Sequence, residues 1–273
     1  MKKIAAVSIF KDEEDIAFNS VLSMAEEGID VIIVADNMST DSTRYELEKV
    51  QALLRNSSCN VVLYNDNEVG YYQSRKMSDL AHNAHKLFGA DWVIPFDADE
   101  IFHSHEGRIK DVINDLPENI NVIEASLFNH FPTSVDVESI IPFESMVWRQ
   151  KEKGALPKVA VKYDKDMIIE QGNHSVTLKV PQIKANCLEI RHFPYRTWEQ
   201  FKRKAINGAK AYQATNLVGF GDHWLLYNSL LEKWGDDVVR REVYEKYFSF
   251  FSPIDNEMIL DPAPFRRWNK KNI

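Results

Sequence analysis

The sequence predicts an α/β fold in which a mostly parallel β-sheet is flanked by helices. Short, continuous apolar runs alternate with segments of helical periodicity through the first hundred residues. Apolar strands separated by helices are typical of a parallel sheet that is covered on both faces. Polar and acidic residues also follow these runs directly, and ligands of open parallel sheets bind beyond the carboxyl ends of the strands.

The elements of the first half follow from this alternation. The predicted strands cover residues 4–10, 31–35, 60–64 and 92–96. The predicted helices cover residues 15–27, 42–54 and 73–88, and Gly28 marks the end of the first helix. Ser39, Asp41 and Ser42 are available to cap the second helix, because their side-chain oxygens accept the unpaired N–H groups of a helix N-terminus.

The pattern changes after the fourth strand. A helix over residues 107–116 and a strand over 122–127 precede an irregular segment, 129–157, that contains three prolines. Further strands are predicted over residues 158–163, 167–180 and 187–193, with a turn at 171–175, and helical, aromatic-rich sequence follows from Trp198. We therefore predict a catalytic domain over residues 1–195 and a helical C-terminal extension, 196–273, packed on it.

Composition and charge exclude some classes of protein. The 273 residues are 44% hydrophobic and carry a net charge of −8, whereas nucleic-acid binders use an excess of Lys and Arg against phosphates. The apolar run that begins at Ile4 is short and meets charged residues at once, so it indicates a strand rather than a signal peptide. No apolar run reaches the ~18 residues of a membrane span. The two cysteines, Cys59 and Cys187, are expected to be free thiols. These features favour a cytoplasmic protein, with at most peripheral contact at the inner membrane face.

The strongest chemical signal is an acidic motif after the fourth strand. Asp97, Ala98, Asp99 and Glu100 follow the apolar run directly, and Ile101 and Phe102 return to the core. Two carboxylates at i and i+2 on extended backbone project to the same side. Grouped oxygen ligands suit Mg²⁺ or Mn²⁺, and such a cation helps a diphosphate to leave. A solvated acidic turn or a helix cap is the plainer alternative.

Three segments together give the chain a resemblance to glycosyltransferase family 2. They are residues 7–13 (VSIFKDE), residues 34–43 (VADNMSTDST) and residues 92–102, which include the D-x-D. The resemblance covers residues 1–105 well and 155–212 more loosely. It implies a GT-A, or nucleotide-diphospho-sugar transferase, fold. It also implies a metal-dependent transfer of a sugar from a nucleotide-diphosphate donor to an acceptor hydroxyl, with inversion, in glycan or polysaccharide synthesis.

The resemblance also implies a donor site at the first, second and fourth strand ends. Residues 10–13 and Asp36 would lie near the base and ribose, and a cation from Arg75 or Lys76 near the nucleotide or phosphates. The presence of Arg75 and Lys76 is explained equally well by the exposed start of a helix. The implied nucleotide-sugar site comprises Phe10, Lys11, Glu13, Asp36, Asn37, Arg75, Lys76, Asp97, Ala98 and Arg196.

The metal shell implied by the resemblance includes a late histidine followed by a cation. His192, in an H-F-x-x-R arrangement with Arg196, is the first candidate beside Asp97 and Asp99, and His174 is the second. Imidazole is an acceptable Mn²⁺ ligand. A hydrogen-bonded, partly buried histidine is the alternative for each. The expected cofactor is thus Mn²⁺ or Mg²⁺.

The catalytic base is less well defined, because the acidic pair that opens a helix in many relatives is not clearly present. Asp136, Glu138, Glu144 and Asp222 are the available carboxylates, and Glu144 is the candidate we select. The donor is expected to be a UDP-sugar only because UDP-sugars are the commonest donors. The acceptor is expected to be a glycan or a lipid-linked molecule. The aromatic and basic residues 265–271 would suit an anionic membrane surface, although a solvated terminus explains them as well. The sequence leaves the oligomeric state open.

Other functions fit the sequence less well. A nucleotidyltransferase would carry a Gly-rich basic loop after the first strand, where this chain has residues 11–14 (KDEE). A P-loop NTPase would need a G-x-x-x-x-G-K-[ST] string, which does not occur. A glycosidase needs two carboxylates that flank one glycosidic bond, and Asp97 and Asp99 are too close in sequence to be argued that way. A catalytically inactive carbohydrate-binding relative stays open, since only the intact acidic pair and the late histidines argue against it.

Overall fold

The computed structural model describes residues 1–136, 141–215, 222–250, 252–254 and 256–261. The contacts divide the chain into two compact units. The first comprises residues 1–67, 73–128 and 153–192, and the second comprises 68–72, 129–152 and 193–273. The domain boundary near residue 195 stays a prediction.

The elements are numbered in chain order. The strands are β1 (Ile4–Phe10), β2 (Val31–Asp36), β3 (Asn60–Asn65), β4 (Trp92–Pro95), β5 (Glu100–His103), β6 (Val122–Asn129), β7 (Trp148–Arg149), β8 (Lys158–Lys162), β9 (Ile168–Ile169), β10 (Val176–Thr177), β11 (Lys184–His192) and β12 (Ile259–Leu260). The helices are α1 (Ala17–Glu26), α2 (Thr43–Leu54), α3 (Gln73–Phe88), α4 (Ile109–Asp115), α5 (Pro142–Ser145), α6 (Trp198–Gln213), α7 (Asp222–Trp234), α8 (Asp236–Val239) and α9 (Glu245–Tyr247). A 3₁₀ turn (Gln171–Asn173) precedes β10, and a π-helical turn (Arg240–Tyr244) joins α8 to α9.

The first unit is built on one eight-stranded mixed sheet with the order β3-β2-β1-β4-β8-β6-β11-β5. β1 pairs in parallel with β2 and β4, and β2 in parallel with β3. β8 is antiparallel to both β4 and β6, and β11 is antiparallel to β5. The predicted α/β class is confirmed, because helices flank one eight-stranded sheet and further helices follow it in the chain.

Two apolar clusters cover the two faces of this sheet. Along β1, Ile4, Ala6 and Phe10 belong to one cluster, and Ala5 and Val7 belong to the other. The alternation follows from the two-residue period of a strand. One face is covered by α1, α2 and α4, and the other by α3. Both faces of β1, β2 and β4 are therefore buried, as their continuous apolar runs predicted, whereas β3 is partly exposed.

The sequence analysis placed some elements wrongly. The strands on either side of the predicted turn at 171–175 are shorter than expected, because β9 and β10 cover two residues each, and Gly172 at φ +76° lies in that turn. The acidic motif is followed by a strand, β5, whose pairing with β11 is distant in sequence. The irregular segment 129–157 contains the short elements α5 and β7. The final helical run ends at Tyr247 rather than continuing to residue 251.

The second unit has a separate apolar cluster. Its buried members come from α6, α7, α8 and the π-helical turn, and they are Trp198, Phe201, Ala205, Leu231, Val239 and Tyr244. Thr197 caps α6, since its hydroxyl oxygen accepts the N–H of Gln200 at 3.2 Å. A two-stranded sheet pairs β7 with β12.

Two sequence expectations about the whole chain can be compared with the described residues. Cys59 and Cys187 are both free, as predicted. Within the described ranges, none of the helices combines the length and the apolar character needed to cross a membrane.

We predict that Gly28→Ala destabilises the first unit by roughly 2 kcal/mol, more than Gly89→Ala. Both glycines follow a helix at positive φ, +85° and +70°, where an L-residue costs roughly 1–2 kcal/mol. A Cβ at Gly28 would also lie 2.9 Å from the Cβ of Lys110, whereas a Cβ at Gly89 would meet nothing within 4 Å. Urea unfolding of both variants measures the difference, and equal losses would contradict the predicted clash.

Candidate functional site

The loops that follow β1 and β2 are joined by side-chain hydrogen bonds. The Asp12 carboxylate accepts the N–H of Thr40 at 2.6 Å, and the N–H of Asp12 donates to Ser39 Oγ at 3.1 Å. The Lys11 ammonium donates to the carbonyl oxygen of Met38. Asp12 and Met38 both have φ of +53°, a conformation that Asp adopts more readily than most residues. The two strand ends therefore form one connected edge.

A second group of polar residues lies at the ends of β2 and β3. Asp36, 9% exposed, accepts the N–H of Ser39 at 3.1 Å. Asn37 donates its side-chain amide to Asp66 Oδ2 at 2.9 Å. Lys76 pairs with the same Asp66 oxygen at 2.6 Å. The sequence predicted both Asn37 and Lys76 as donor-site residues, and the structure connects them through Asp66.

The acidic motif forms a turn between β4 and β5. The N–H of Glu100 donates to the carbonyl oxygen of Asp97 at 3.1 Å. The Glu100 carboxylate in turn accepts the N–H of Asp97 at 3.1 Å. The expectation of extended backbone here is wrong, because the chain reverses direction to bring Glu100 into β5. The i and i+2 argument for Asp97 and Asp99 therefore does not hold.

A buried lysine neutralises part of this turn. Lys158, at the start of β8, is 4% exposed. Its ammonium lies 2.6 Å from Asp97 Oδ2 and 2.8 Å from Glu100 Oε1. A buried charge is stable only when it is paired and hydrogen-bonded. Lys158 thus supplies the counter-charge that allows Glu100, at 0% exposure, to sit inside the unit.

Asp97 has further partners. The side-chain amides of Gln73 and Asn173 both donate to Asp97 Oδ1 at 3.1 Å. Gln73 also accepts the N–H of Gly172 at 2.9 Å, which ties the start of α3 to the 3₁₀ turn. Both oxygens of Asp97 are therefore engaged by protein groups. Lys158 lies beside Asp97, and the assignment of Asp97 and Asp99 to one shared cation stays a prediction.

Asp99 has a different environment. It is 3% exposed, and its Oδ2 lies 3.6 Å from His192 Nε2. Backbone pairing accounts for this proximity, since His192 is opposite Glu100 in the β11–β5 ladder. The structure thus brings together the second aspartate of the motif and the histidine that the sequence selected first. The assignment of both as metal ligands stays a prediction.

His174, the second candidate, follows the 3₁₀ turn. Its Nδ1 lies 2.8 Å from the carbonyl oxygen of Pro157, which can only accept, so Nδ1 carries the proton. Burial lowers the pKa of His174, and the neighbouring positive charge of Lys158 lowers it further. The imidazole is therefore held neutral, and its Nε2 is the atom with a lone pair.

The pKa shifts in the turn arise because several carboxylates lie close together and are shielded from water. Burial raises the pKa of Glu100 to about 8, although Lys158 opposes the shift, and Asp97 and Asp99 add to it. Burial disfavours the charge on Lys158, but Asp97 and Glu100 outweigh that effect and raise its pKa above the usual value. Perturbed groups clustered in this way are typical of functional sites.

The remaining predicted donor-site residues of the first unit, Phe10, Glu13, Arg75 and Ala98, differ in their exposure. Phe10 is fully buried and packs edge-on against Phe96, with ring centroids 5.9 Å apart. Ala98 is 4% exposed and belongs to the apolar core. The main-chain oxygen of Phe10 is also used, because it accepts the N–H of Asn37 at 2.8 Å. Glu13 is 9% exposed, and its N–H donates to the Thr43 hydroxyl at 2.7 Å. Arg75 lies exposed on α3.

Two predicted residues belong to the second unit. Arg196 is 4% exposed, and its guanidinium donates to the carbonyl oxygen of Phe193 at 3.0 Å. Glu144 lies exposed on α5. Of the other carboxylates considered as base, Asp136 accepts hydrogen bonds from Thr133, and burial raises its pKa. Glu138 and residues 265–271 lie outside the described residues.

The sequence reasoning missed Lys158, Gln73 and Asn173 as members of this site. A lysine that opens an apolar strand, an amide at the start of a helix and an amide in a 3₁₀ turn give no signal of their own. The sequence could have indicated that Glu100 belongs to the site, because three carboxylates in four residues need a counter-charge if the following strand is buried. The position of that counter-charge depends on β8 pairing with β4, which connects residues distant in the sequence.

Comparisons with known proteins give structural neighbours only. No protein-family model matches the chain. No curated protein matches it either.

The solved structures similar to this chain include glucosyl-3-phosphoglycerate synthase from Mycobacterium tuberculosis in complex with Mn²⁺, UDP and glucosyl-3-phosphoglycerate. It is 17% identical with a TM-score of 0.31, and the match covers 46% of this chain and 44% of that chain. HddC from Yersinia pseudotuberculosis is 12% identical with a TM-score of 0.32, over 58% of this chain and 76% of that chain. The match thus spans less than half the length of the mycobacterial enzyme. These scores are too low to transfer a ligand or an activity.

We predict that the stability difference between the wild type and Glu100→Gln depends on pH. The pKa of Glu100 is raised from 4.5 to about 8 in the folded chain. Between these values the unfolded chain loses a proton that the folded chain keeps, so rising pH destabilises the wild type. Glutamine has no such proton and can still accept the N–H of Asp97.

Urea unfolding at several pH values between about 4.5 and 8 measures this difference. The wild type is expected to lose stability relative to Glu100→Gln as pH rises. Asp91→Asn, which changes an exposed carboxylate just before β4, serves as the control, and its stability difference from the wild type should not change with pH. A pH-independent difference for Glu100→Gln would contradict a raised pKa.

Proposed function

We propose that this chain is a metal-dependent glycosyltransferase that transfers a sugar from a nucleotide-diphosphate donor to an acceptor hydroxyl. The observation that carries the proposal is the pair formed by Asp99 and His192, whose nearest side-chain atoms are 3.6 Å apart. The pair lies beside the turn that follows β4, at the carboxyl edge of the parallel strands, where open α/β sheets bind ligands.

The residues present suit a divalent cation of the Mn²⁺ or Mg²⁺ type. Two ligands that are each roughly 2.1 Å from one ion lie roughly 3–3.5 Å apart at octahedral or tetrahedral angles. The separation between Asp99 and His192 is close to that range. Such cations are commonly held by one or two protein ligands together with substrate phosphates and water. His174 is a further candidate, because its neutral ring retains a lone pair.

The chemistry divides between the cation and the chain. A bound cation would neutralise the charge that develops on the departing diphosphate. Asp99 and His192 would fix its position, while Lys158 and Asp97 would hold the turn that carries Asp99. We assign Asp97 this supporting role, because Lys158 and two amides already engage its oxygens.

The nucleotide is assigned to the edge formed by the ends of β1, β2 and β3. Asp36, Asn37 and Lys76 offer polar groups there, and Lys11 belongs to the adjoining loop. We propose a UDP-sugar as donor, a glycan or lipid-linked acceptor, and inversion at the anomeric carbon. Arg75 and Arg196 are the remaining cationic candidates for the donor phosphates.

We predict that Asp99→Asn and His192→Gln each weaken metal-dependent donor binding by about 100-fold or more, since each removes a ligand of the cation. A thermal-shift panel of nucleotide sugars with and without Mn²⁺ identifies the donor for the wild type. Isothermal titration of that donor in the presence of Mn²⁺ then measures the two variants.

The control for this experiment is Asp111→Asn, which removes an exposed carboxylate on α4. It should bind the donor as the wild type does. Unchanged donor binding in Asp99→Asn would refute the site. Donor binding with no release of nucleoside diphosphate, in the presence of acceptor or water, would instead identify a carbohydrate-binding protein without transferase activity.

Glu144 is the proposed catalytic base, and Glu144→Gln tests it. General-base catalysis contributes typically 10²–10⁴-fold, so kcat should fall by about 100-fold while the donor affinity is retained. Glu152→Gln, an exposed carboxylate in the same segment of the chain, is the matched control. If kcat is unchanged in Glu144→Gln, another carboxylate deprotonates the acceptor.

A further inference from the structure

We propose a second cation site, of the type that binds Zn²⁺, formed by His103, His105 and Glu189. Among the residues that the structure describes, these three form a group whose ligand atoms all lie within 4.8 Å of one another. Two imidazoles and one carboxylate are a ligand set that zinc accepts, with water in the fourth position. The site is independent of the proposed sugar transfer.

Strand pairing builds the cluster. His103 ends β5 and lies directly opposite Glu189 in the antiparallel ladder with β11. His105 is two residues further along the chain. His103 Nε2 lies 3.7 Å from Glu189 Oε2, and His105 Nε2 lies 3.0 Å from the same oxygen. The two imidazoles therefore converge on one carboxylate, with ring centroids 5.2 Å apart.

The orientation of His103 suits a metal ligand. Its Nδ1 lies 3.0 Å from the main-chain carbonyl oxygen of Glu189. A carbonyl oxygen only accepts, so Nδ1 carries the proton and Nε2 carries the lone pair. Histidines that bind metals commonly donate their other ring N–H to a backbone carbonyl in this way, which fixes the tautomer and the ring. His103 is 5% exposed, so packing also limits its rotation.

The two separations that involve Glu189 fit one tetrahedral ion. Two ligands at roughly 2.0–2.1 Å from zinc lie roughly 3.4 Å apart at the tetrahedral angle. The separations of 3.0 Å and 3.7 Å from Glu189 Oε2 bracket that value. The change in ligand separation that the ion requires can come from rotation of His105, whose side chain is 69% exposed. Its exposure also provides an entry path for the ion, which a metal site requires.

The proposed zinc site lies apart from the Asp99 and His192 pair. In the same ladder Glu100 is opposite His192, whereas His103 is opposite Glu189. Three residues along a strand correspond to roughly 10 Å. The two candidate sites thus lie at opposite ends of the β5–β11 pairing. A zinc ion bound by His103, His105 and Glu189 would attach the bend after β5 to strand β11.

The test measures zinc binding directly in the full chain after treatment with a chelator. Asp99→Asn serves as the background, because it removes the other candidate cation site. One Zn²⁺ per chain should still bind to the Asp99→Asn variant, as measured by isothermal titration. Adding His105→Ala or Glu189→Gln should weaken that binding by about 100-fold or more. Both side chains are at least one-third exposed, so these variants are expected to fold.

Two further measurements sharpen the result. His82→Ala removes an imidazole outside both sites and should leave zinc affinity unchanged. Co²⁺ in place of zinc should give the visible absorption of a four-coordinate ion, and His105→Ala should abolish it. Zinc affinity that is equal with and without His105→Ala and Glu189→Gln would overturn the proposal. Loss of all zinc binding in Asp99→Asn alone would also overturn it, without affecting the proposed transferase.

Discussion

The ion pairs of Lys158 are the interaction on which the candidate site depends. The turn after β4 places three carboxylates within four residues, and Glu100 and Asp99 are almost fully buried. Such a turn is unstable unless a positive charge is buried with it. Lys158 meets that need, with its ammonium less than 3 Å from both Asp97 and Glu100. The turn can then present Asp99 in a fixed position.

This arrangement gives the two aspartates of the motif different roles. The side chain of Asp97 is 31% exposed and that of Asp99 is 4% exposed, yet Asp97 is the one engaged by a lysine and two amides. Asp99 is more deeply buried and has an imidazole as neighbour. In the proposed function, Asp97 therefore supports the turn and Asp99 holds the cation. Pre-positioning of this kind is what a site needs in order to bind charge without reorganisation.

The pairing of β5 with β11 organises chemistry at both of its ends. One end brings His192 beside the acidic turn, and the other brings Glu189 beside His103. Neither relation is visible in the sequence, where about ninety residues separate the partners in each pair. An antiparallel ladder fixes which residues are opposite one another, and the side chains of opposite residues are close enough to interact.

Local patterns determined the parallel half of the fold. The apolar run of β1 and the period of α3 lie within a few neighbouring residues, so the sequence alone predicted both with their correct bounds. The same patterns placed Asp36 and the acidic motif at strand ends, and the family resemblance selected His192.

Only the tertiary structure decided how the carboxylates are partnered. That Lys158 pairs with Asp97, and that β5 exists at all, follow from antiparallel pairing between strands distant in the chain. Periodicity reports the burial of one segment at a time, whereas the partner of a buried charge is set by whichever strand packs beside it.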